Sequence, residues 1–294
     1  MKLYAPKYYQ KFKCTADKCE HSCCIGWEID IDEKTLKKYE ELKDGYSNAL
    51  KKSISKDETA HFKLKTGERC PHLNECGLCE IIINLGEDYL CDICREHPRF
   101  YNFSAIAEVG IGMSCREAAE IILSSPDYKN FECIGEADGE PNVCDFDSLG
   151  ERRKIYEVLS DNSMPYEKRL EKIHREYSID LGNDEYWIEI LKTLEYLDES
   201  HKNLFLKYSS RKNASSFDEY FERFLAYFIY RHTTEALDKE DFCSRLRFAL
   251  FCERLFASTV TIKMPKTVKE IAVLASIISE EIEYSDDNTF MLTY

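Results

Sequence analysis

The sequence predicts a mainly α protein, with an irregular cysteine-rich metal-binding N-terminal domain packed on a C-terminal helical bundle. Three observations carry that expectation. Apolar residues recur at helical spacing through the second half, and alternation of period two is scarce, so few strands are expected. Of 14 cysteines, twelve precede residue 145. The expected domains are therefore 1–144, cysteine-rich, and 145–294, helical. The Pro/Gly/Asp-rich segment 132–150, ECIGEADGEPNVCDFDSLG, reads as the linker between them.

In the first half, TLKKYEELKDGYSNALKKSI (35–54) reads as a surface helix or helix pair, and REAAEIILSS (116–125) as a helix starting just after Cys115. The segment 75–101 carries a helical core between two cysteine pairs. In the second half, 185–208 places Trp187, Ile190, Leu191, Leu194, Leu197 and Leu204 on one helical face, with Asn183 and Asp184 as its N-cap. The next helix, 216–232, stacks Phe217, Tyr220, Phe221, Phe224, Leu225 and Phe228 on one side, a stripe read as core packing. Segment 241–260 is apolar around most of its circumference, as a helix buried among others is. The last helix expected is 268–284.

Composition narrows the function. The 294 residues carry 40 Lys and Arg against 55 Asp and Glu, a net charge of −15, with the excess spread over both halves. Such a chain repels phosphate backbones, and nucleic acid is excluded as a partner. No run of eighteen apolar residues occurs, so no membrane span is expected. The first residues, MKLYAPKYYQKFKC, lack an apolar core and a small-residue cleavage site. A cytoplasmic location follows, and in a reducing compartment clustered thiols read as metal-binding or redox-active.

Those thiols fall into three groups: Cys14, Cys19, Cys23 and Cys24; then Cys70, Cys76 and Cys79; then Cys91 and Cys94, with Cys115 further on. Two C-x-x-C pairs, 76/79 and 91/94, each present two sulfurs from one turn, as a tetrahedral ion or a cluster requires. Zinc and iron–sulfur both accept four thiolates, and the spacing leaves both open. The C-x3-C-x2-C run of a common radical methyl-donor enzyme is absent, and Gly110-Ile-Gly112 is too short for a glycine-rich nucleotide loop. Cys133 and Cys144 sit in the expected linker and read as spectators. Cys243 and Cys252, in an apolar helix, read as buried structural residues.

The run FKCTADKCEHSCCIGWEIDID (12–32), CPHL (70–73), CGLCEI (76–81), LG (85–86), LCDICREHPRF (90–100) and SCREAAEIIL (114–123) resembles the flagellin lysine-N-methylase family. Its CC dipeptide also resembles the CxxCxxCC zinc- or iron-chelating domain, though the leading spacing here is looser than that name. LAYFIYRH (225–232) and EEIEYSDDN (280–288) are similar to the family's helical region. The resemblance implies methyl transfer from S-adenosylmethionine to lysine side chains of flagellin, with a 4Fe-4S cluster at the cysteines. The other expectation is a zinc- or iron-chelating interaction module.

By that resemblance the metal ligands are drawn from Cys14, Cys19, Cys23, Cys24, Cys70, Cys79, Cys91, Cys94 and Cys115. Cys76 is balanced between ligand and turn residue. Arg95 or Arg99 would clamp the carboxylate of the methyl donor. Trp27, Glu28, Asp30 and Asp32 form an alternating segment whose acidic members would receive a cationic lysine or simply face solvent. Glu117 would favour its helix from the first turn. No catalytic side chain is singled out.

Overall fold

Leu3, Tyr4 and Ala5 lie in β1 (Lys2–Pro6), the strand that organises the main sheet. The computed structural model describes residues 1–43, 45–141, 144–210 and 215–294. Chain order continues with α1 (Glu33–Glu41), α2 (Ser47–Lys52), β2 (Ile54–Lys56), β3 (Ala60–Phe62), α3 (Glu80–Leu85) and α4 (Asp92–Glu96). Then come β4 (Arg99–Phe103), β5 (Ala107–Ile111), α5 (Arg116–Leu123) and β6 (Phe131–Glu136). Eight helices complete the described chain: α6 (Ser148–Leu159), α7 (Tyr166–Glu176), α8 (Asp184–Thr193), α9 (Glu199–Phe205), α10 (Asp218–Thr233), α11 (Lys239–Lys263), α12 (Val268–Glu283) and the short α13 (Asp286–Thr293). The protein is mainly α.

Packing divides the chain into a unit of Lys13–Pro98 and a unit of Met1–Phe12 with Arg99–Tyr294. Composition changes near residue 144, but the division in space falls elsewhere, because β1 pairs with strands that follow residue 98. The sheet order is β4-β5-β1-β6, with β1 parallel to β5 and antiparallel to β6. Segment 132–150 is therefore not simply a linker: its first residues belong to edge strand β6. Asn142 and Val143 of that segment lie outside the described residues.

In the larger unit every residue of β5 is buried. α10 packs on α11, α6 and α5, and α12 on α5 and α11. The stripe on α10 is core, as expected: Phe221, Phe224, Leu225 and Phe228 are buried, and Phe224 stacks on Phe256 with ring centroids 4.2 Å apart. Trp187 of α8 stacks on Phe251 at 3.7 Å. Each such side chain contributes about 1.5–3 kcal/mol by leaving water. Asn183 caps α8 by accepting from the Tyr186 amide, over 2.9 Å.

The single helix expected over 185–208 is two. Residues 194–198 leave the helical path, Asp198 caps α9, and the buried Glu281 carboxylate accepts from the amides of Leu197 (2.8 Å) and Asp198 (3.2 Å). With those amides satisfied from outside, the break costs little. Leu197, assigned to the apolar face, is exposed. Cys252 is fully buried, whereas Cys243 is only half-buried.

Among its described residues the smaller unit holds the short α-helices α1 to α4 and the β2–β3 hairpin. Its core joins Ile29, Ile31, Tyr39, Leu50, Phe62 and Ile81 to the cysteines. The expected surface helix pair over 35–54 is α1 and α2, and it buries a face: Tyr39 and Leu50 are wholly inside.

Candidate metal centre

Five thiols of the smaller unit meet in its core. Cys70 and Cys91 are buried within it, and Cys24, Cys79 and Cys94 pack against it. Local backbone bonds set the arrangement. The Cys70 amide donates to the Cys24 carbonyl over 2.8 Å, and the Gly26 amide to the Glu68 carbonyl over 3.1 Å, so 24–26 and 68–70 run side by side. The Glu80 amide donates to the His72 carbonyl over 2.8 Å, which draws Cys79 toward the Cys70 segment. Cys91 starts α4, and the Cys94 sulfur lies 3.4 Å from its own.

Asp32 fixes that last pair. One carboxylate oxygen accepts from the Thr35 amide at 2.9 Å, capping α1, and the other accepts from the Asp92 amide at 2.9 Å, at the first residue of α4. Of the acidic residues expected to receive a lysine, Asp32 is thus committed to the fold. Glu28 and Asp30 point outward between buried Ile29 and Ile31, with His61 Nε2 within 3.5 Å of Glu28. Trp27 donates to the Cys23 carbonyl over 2.8 Å, holding the CC turn.

The thiols sense one another. Burial lifts Cys70 to about 12, with Cys24 and Cys79 adding to it. Burial also raises Cys79, with Cys24 and Cys91 adding. The hydrogen bond with Cys91, together with burial, pushes Cys94 far up, and Cys24 and Cys70 push the same way. Cys24 is lowered to about 7, chiefly by its hydrogen bond with Cys23, against burial. The donor set is soft and thiol-only, and its chemistry fits zinc or an iron–sulfur cluster. Among the described residues, no three His, Cys, Asp or Glu side chains close on one point in a geometry that would hold a metal ion.

Of the remaining candidates, Cys14 and Cys23 are exposed, Cys23 hydrogen-bonds the Cys24 thiol, and the Cys19 thiol donates to the His21 carbonyl over 2.5 Å. Cys76 is exposed on a turn whose amide donates to Asn74. Cys115 belongs to the larger unit, where it packs on the core at the start of α5, and Glu117 lies in that helix's first turn. Arg95 bonds within its own segment, to the Asp92 carboxylate and the Leu90 carbonyl. Arg99, in the larger unit, donates to the Tyr9 hydroxyl over 2.9 Å and sits over the Tyr9 and Phe12 rings.

Tyr39 and His72 also lie beside the thiols, and neither is read from the sequence as a site residue. Tyr39 donates to the Tyr89 carbonyl over 2.6 Å and is raised by burial and then by Cys91, Cys94 and Cys79. His72 is buried with its Nδ1 2.6 Å from the Tyr46 hydroxyl and its Nε2 2.8 Å from the Ser53 hydroxyl. Burial holds it down to about 4, so it is neutral. The helical period of Tyr39 was the one available signal.

With this geometry in hand, similarity to known proteins becomes informative. A lysine-N-methylase of Salmonella typhimurium is 29% identical over 130 residues, which make up 42% of this chain and 32% of that protein. The chain resembles lysine-N-methylases. The lysine-N-methylase of Salmonella choleraesuis matches to the same extent, and the flagellar biosynthetic protein FliU of Salmonella muenchen is 29% identical over 130 residues, 77% of its length. The similarity thus spans about a third of the length of the two lysine-N-methylases. No family model matches the chain. No solved structure matches it. No helix among the described residues is long and apolar enough to cross a membrane.

Proposed function

We propose that the chain methylates lysine side chains of flagellin with S-adenosylmethionine as donor, and that the core thiols of Lys13–Pro98 hold an iron–sulfur cluster. The similarity to the lysine-N-methylases is the observation that carries this reading. The gathering of Cys24, Cys70, Cys79, Cys91 and Cys94 supports the metal.

When bound, such a centre supplies iron that can anchor the amino and carboxylate groups of the methyl donor. The residues of the chain do the rest. Cys70 and Cys79, raised by burial, are protonated at neutral pH, so loading releases their protons and metal affinity rises with pH. Glu28 and Asp30, outward-facing beside His61, attract a lysine ammonium. The amine attacks only after losing its proton, and a carboxylate at that edge takes it. Arg95, in the same unit as the core thiols, is the candidate clamp for the donor carboxylate.

The test is incubation of anaerobically purified protein with methyl-labelled S-adenosylmethionine and flagellin. Label recovered as methyl-lysine in flagellin is expected. Cluster-loaded protein that labels no lysine refutes the enzyme reading. The second reading, a metal-stabilised interaction module, is favoured by the exposed Ile82 and Ile83 of α3 between the C-x-x-C pairs. It predicts metal with no methyl transfer.

A further inference from the structure

We propose that Cys91 and Cys94 form a reversible disulfide when the centre is empty, and that this disulfide controls metal loading. The loading half rests on the metal reading above; the disulfide half does not. The two sulfurs are already 3.4 Å apart, and no backbone movement between distant segments is needed to join them. Both lie on one turn at the start of α4, where residues three apart present their side chains on the same face. The separation of Cα atoms across such a turn lies within the range a disulfide spans.

The other core thiols lack this proximity in sequence. Cys24, Cys70 and Cys79 come from separate segments, held by backbone bonds rather than by a shared turn. Cys91 is wholly buried and Cys94 is partly open to solvent. An oxidant therefore reaches the pair from the Cys94 side.

With hydrogen peroxide as oxidant, one sulfur of the pair attacks a peroxide oxygen as its thiolate. The O–O bond breaks, that sulfur becomes a sulfenic acid, and the departing hydroxide takes a proton to leave as water. The thiolate of the other cysteine then attacks the sulfenic sulfur, the S–S bond forms, and the sulfenic oxygen takes a proton to leave as a second water. Two thiols are oxidised by two electrons, and the peroxide is reduced to two waters. A dithiol reverses the step by exchange. The disulfide removes two of the five core thiols and leaves three, fewer than the four that a zinc or iron–sulfur site requires.

The sequence offers a direct readout. Cleavage after Glu87 and Arg95 releases DYLCDICR (88–95), which contains Cys91 and Cys94 and no other cysteine. Full-length protein stripped of metal by a chelator is treated with one equivalent of hydrogen peroxide, and free thiols are then alkylated before digestion. The expected peptide is unalkylated and lighter by two hydrogens, and Cys91→Ser and Cys94→Ser each abolish it. The oxidised protein is expected to lose uptake of added Zn(II), and dithiothreitol to restore it. Recovery of 88–95 with both cysteines alkylated, while other thiols are lost, overturns the disulfide. Equal zinc uptake before and after oxidation overturns the control of loading. A reduced protein that takes up neither zinc nor iron overturns the metal reading and the control together, without touching the peptide result.

Discussion

His232 of α10 and Glu283 of α12 meet over 2.6 Å inside the larger unit. Glu283 also pairs with Arg231 at 3.0 Å, accepts from the Tyr227 hydroxyl at 3.0 Å, and takes a hydrogen bond from Ser279. The carboxylate side chain is 1% exposed. Its role in this structure is to join α10 to α12.

Glu283→Gln is therefore expected to destabilise the protein by about 3–5 kcal/mol, because Arg231 is left buried without its counter-charge. Urea unfolding followed by circular dichroism reads the loss. Replacement without a measurable shift in midpoint would show that the cluster is dispensable.

The same cluster sets a pH response. Burial opposes the charge of Glu283, yet Arg231 and His232 outweigh it and hold its carboxyl below the usual glutamate range. Its contribution is complete above the ordinary glutamate value and is lost as pH falls through the lower folded value. His232 is held below its usual value chiefly by burial, so the unfolded chain takes up that proton first, and stability starts to fall below about pH 6.5. His201 runs the other way. Burial works against it, but Glu281 raises it, so its contribution is present below about pH 6.5 and is lost as pH rises through the folded value. A urea midpoint that declines on acidification from pH 6, and more steeply below pH 5, is expected. His201→Gln should remove the alkaline part of the response alone.

Asp32→Ala removes two caps at once. At about 1 kcal/mol each, the loss is about 2 kcal/mol, and Asp32→Asn, which keeps one acceptor oxygen, should lose about half. Faster hydrogen exchange at the amides of both Thr35 and Asp92 is the specific sign. Faster exchange at Thr35 alone would mean that Asp32 does not hold α4.

Cys70→Ser and Cys79→Ser are expected to lose bound metal, since both face the shared core. Cys252→Ser should keep its full metal content, although placing a hydroxyl in an apolar core costs about 1–3 kcal/mol. Elemental analysis of the purified variants separates the two behaviours, and metal loss in Cys252→Ser would contradict the assignment of the centre to Lys13–Pro98.

The sequence made some of this visible and hid the rest for physical reasons. Helical periodicity located α10, α11 and α12, and an Asn–Asp pair located the cap of α8. The strands were missed: β5, AEVGI, is buried on both faces, and such strands show no alternation. The break after α8 was missed because its amides are satisfied by Glu281, 84 positions from Leu197. At the site, the two C-x-x-C pairs drew attention to the thiols, but only the fold separates inward Cys24, Cys70, Cys79, Cys91 and Cys94 from outward Cys14, Cys23 and Cys76. Asp32 read as a lysine-receiving or solvent-facing carboxylate because its second partner, Asp92, is 60 positions away.

The most direct measurement of the central claim is iron, sulfide and zinc analysis of protein purified without oxygen, with its visible spectrum. The account predicts about four iron and four sulfide per chain and a brown protein with broad absorption near about 400 nm. Stoichiometric zinc without sulfide, reproduced from iron-rich expression, would contradict it.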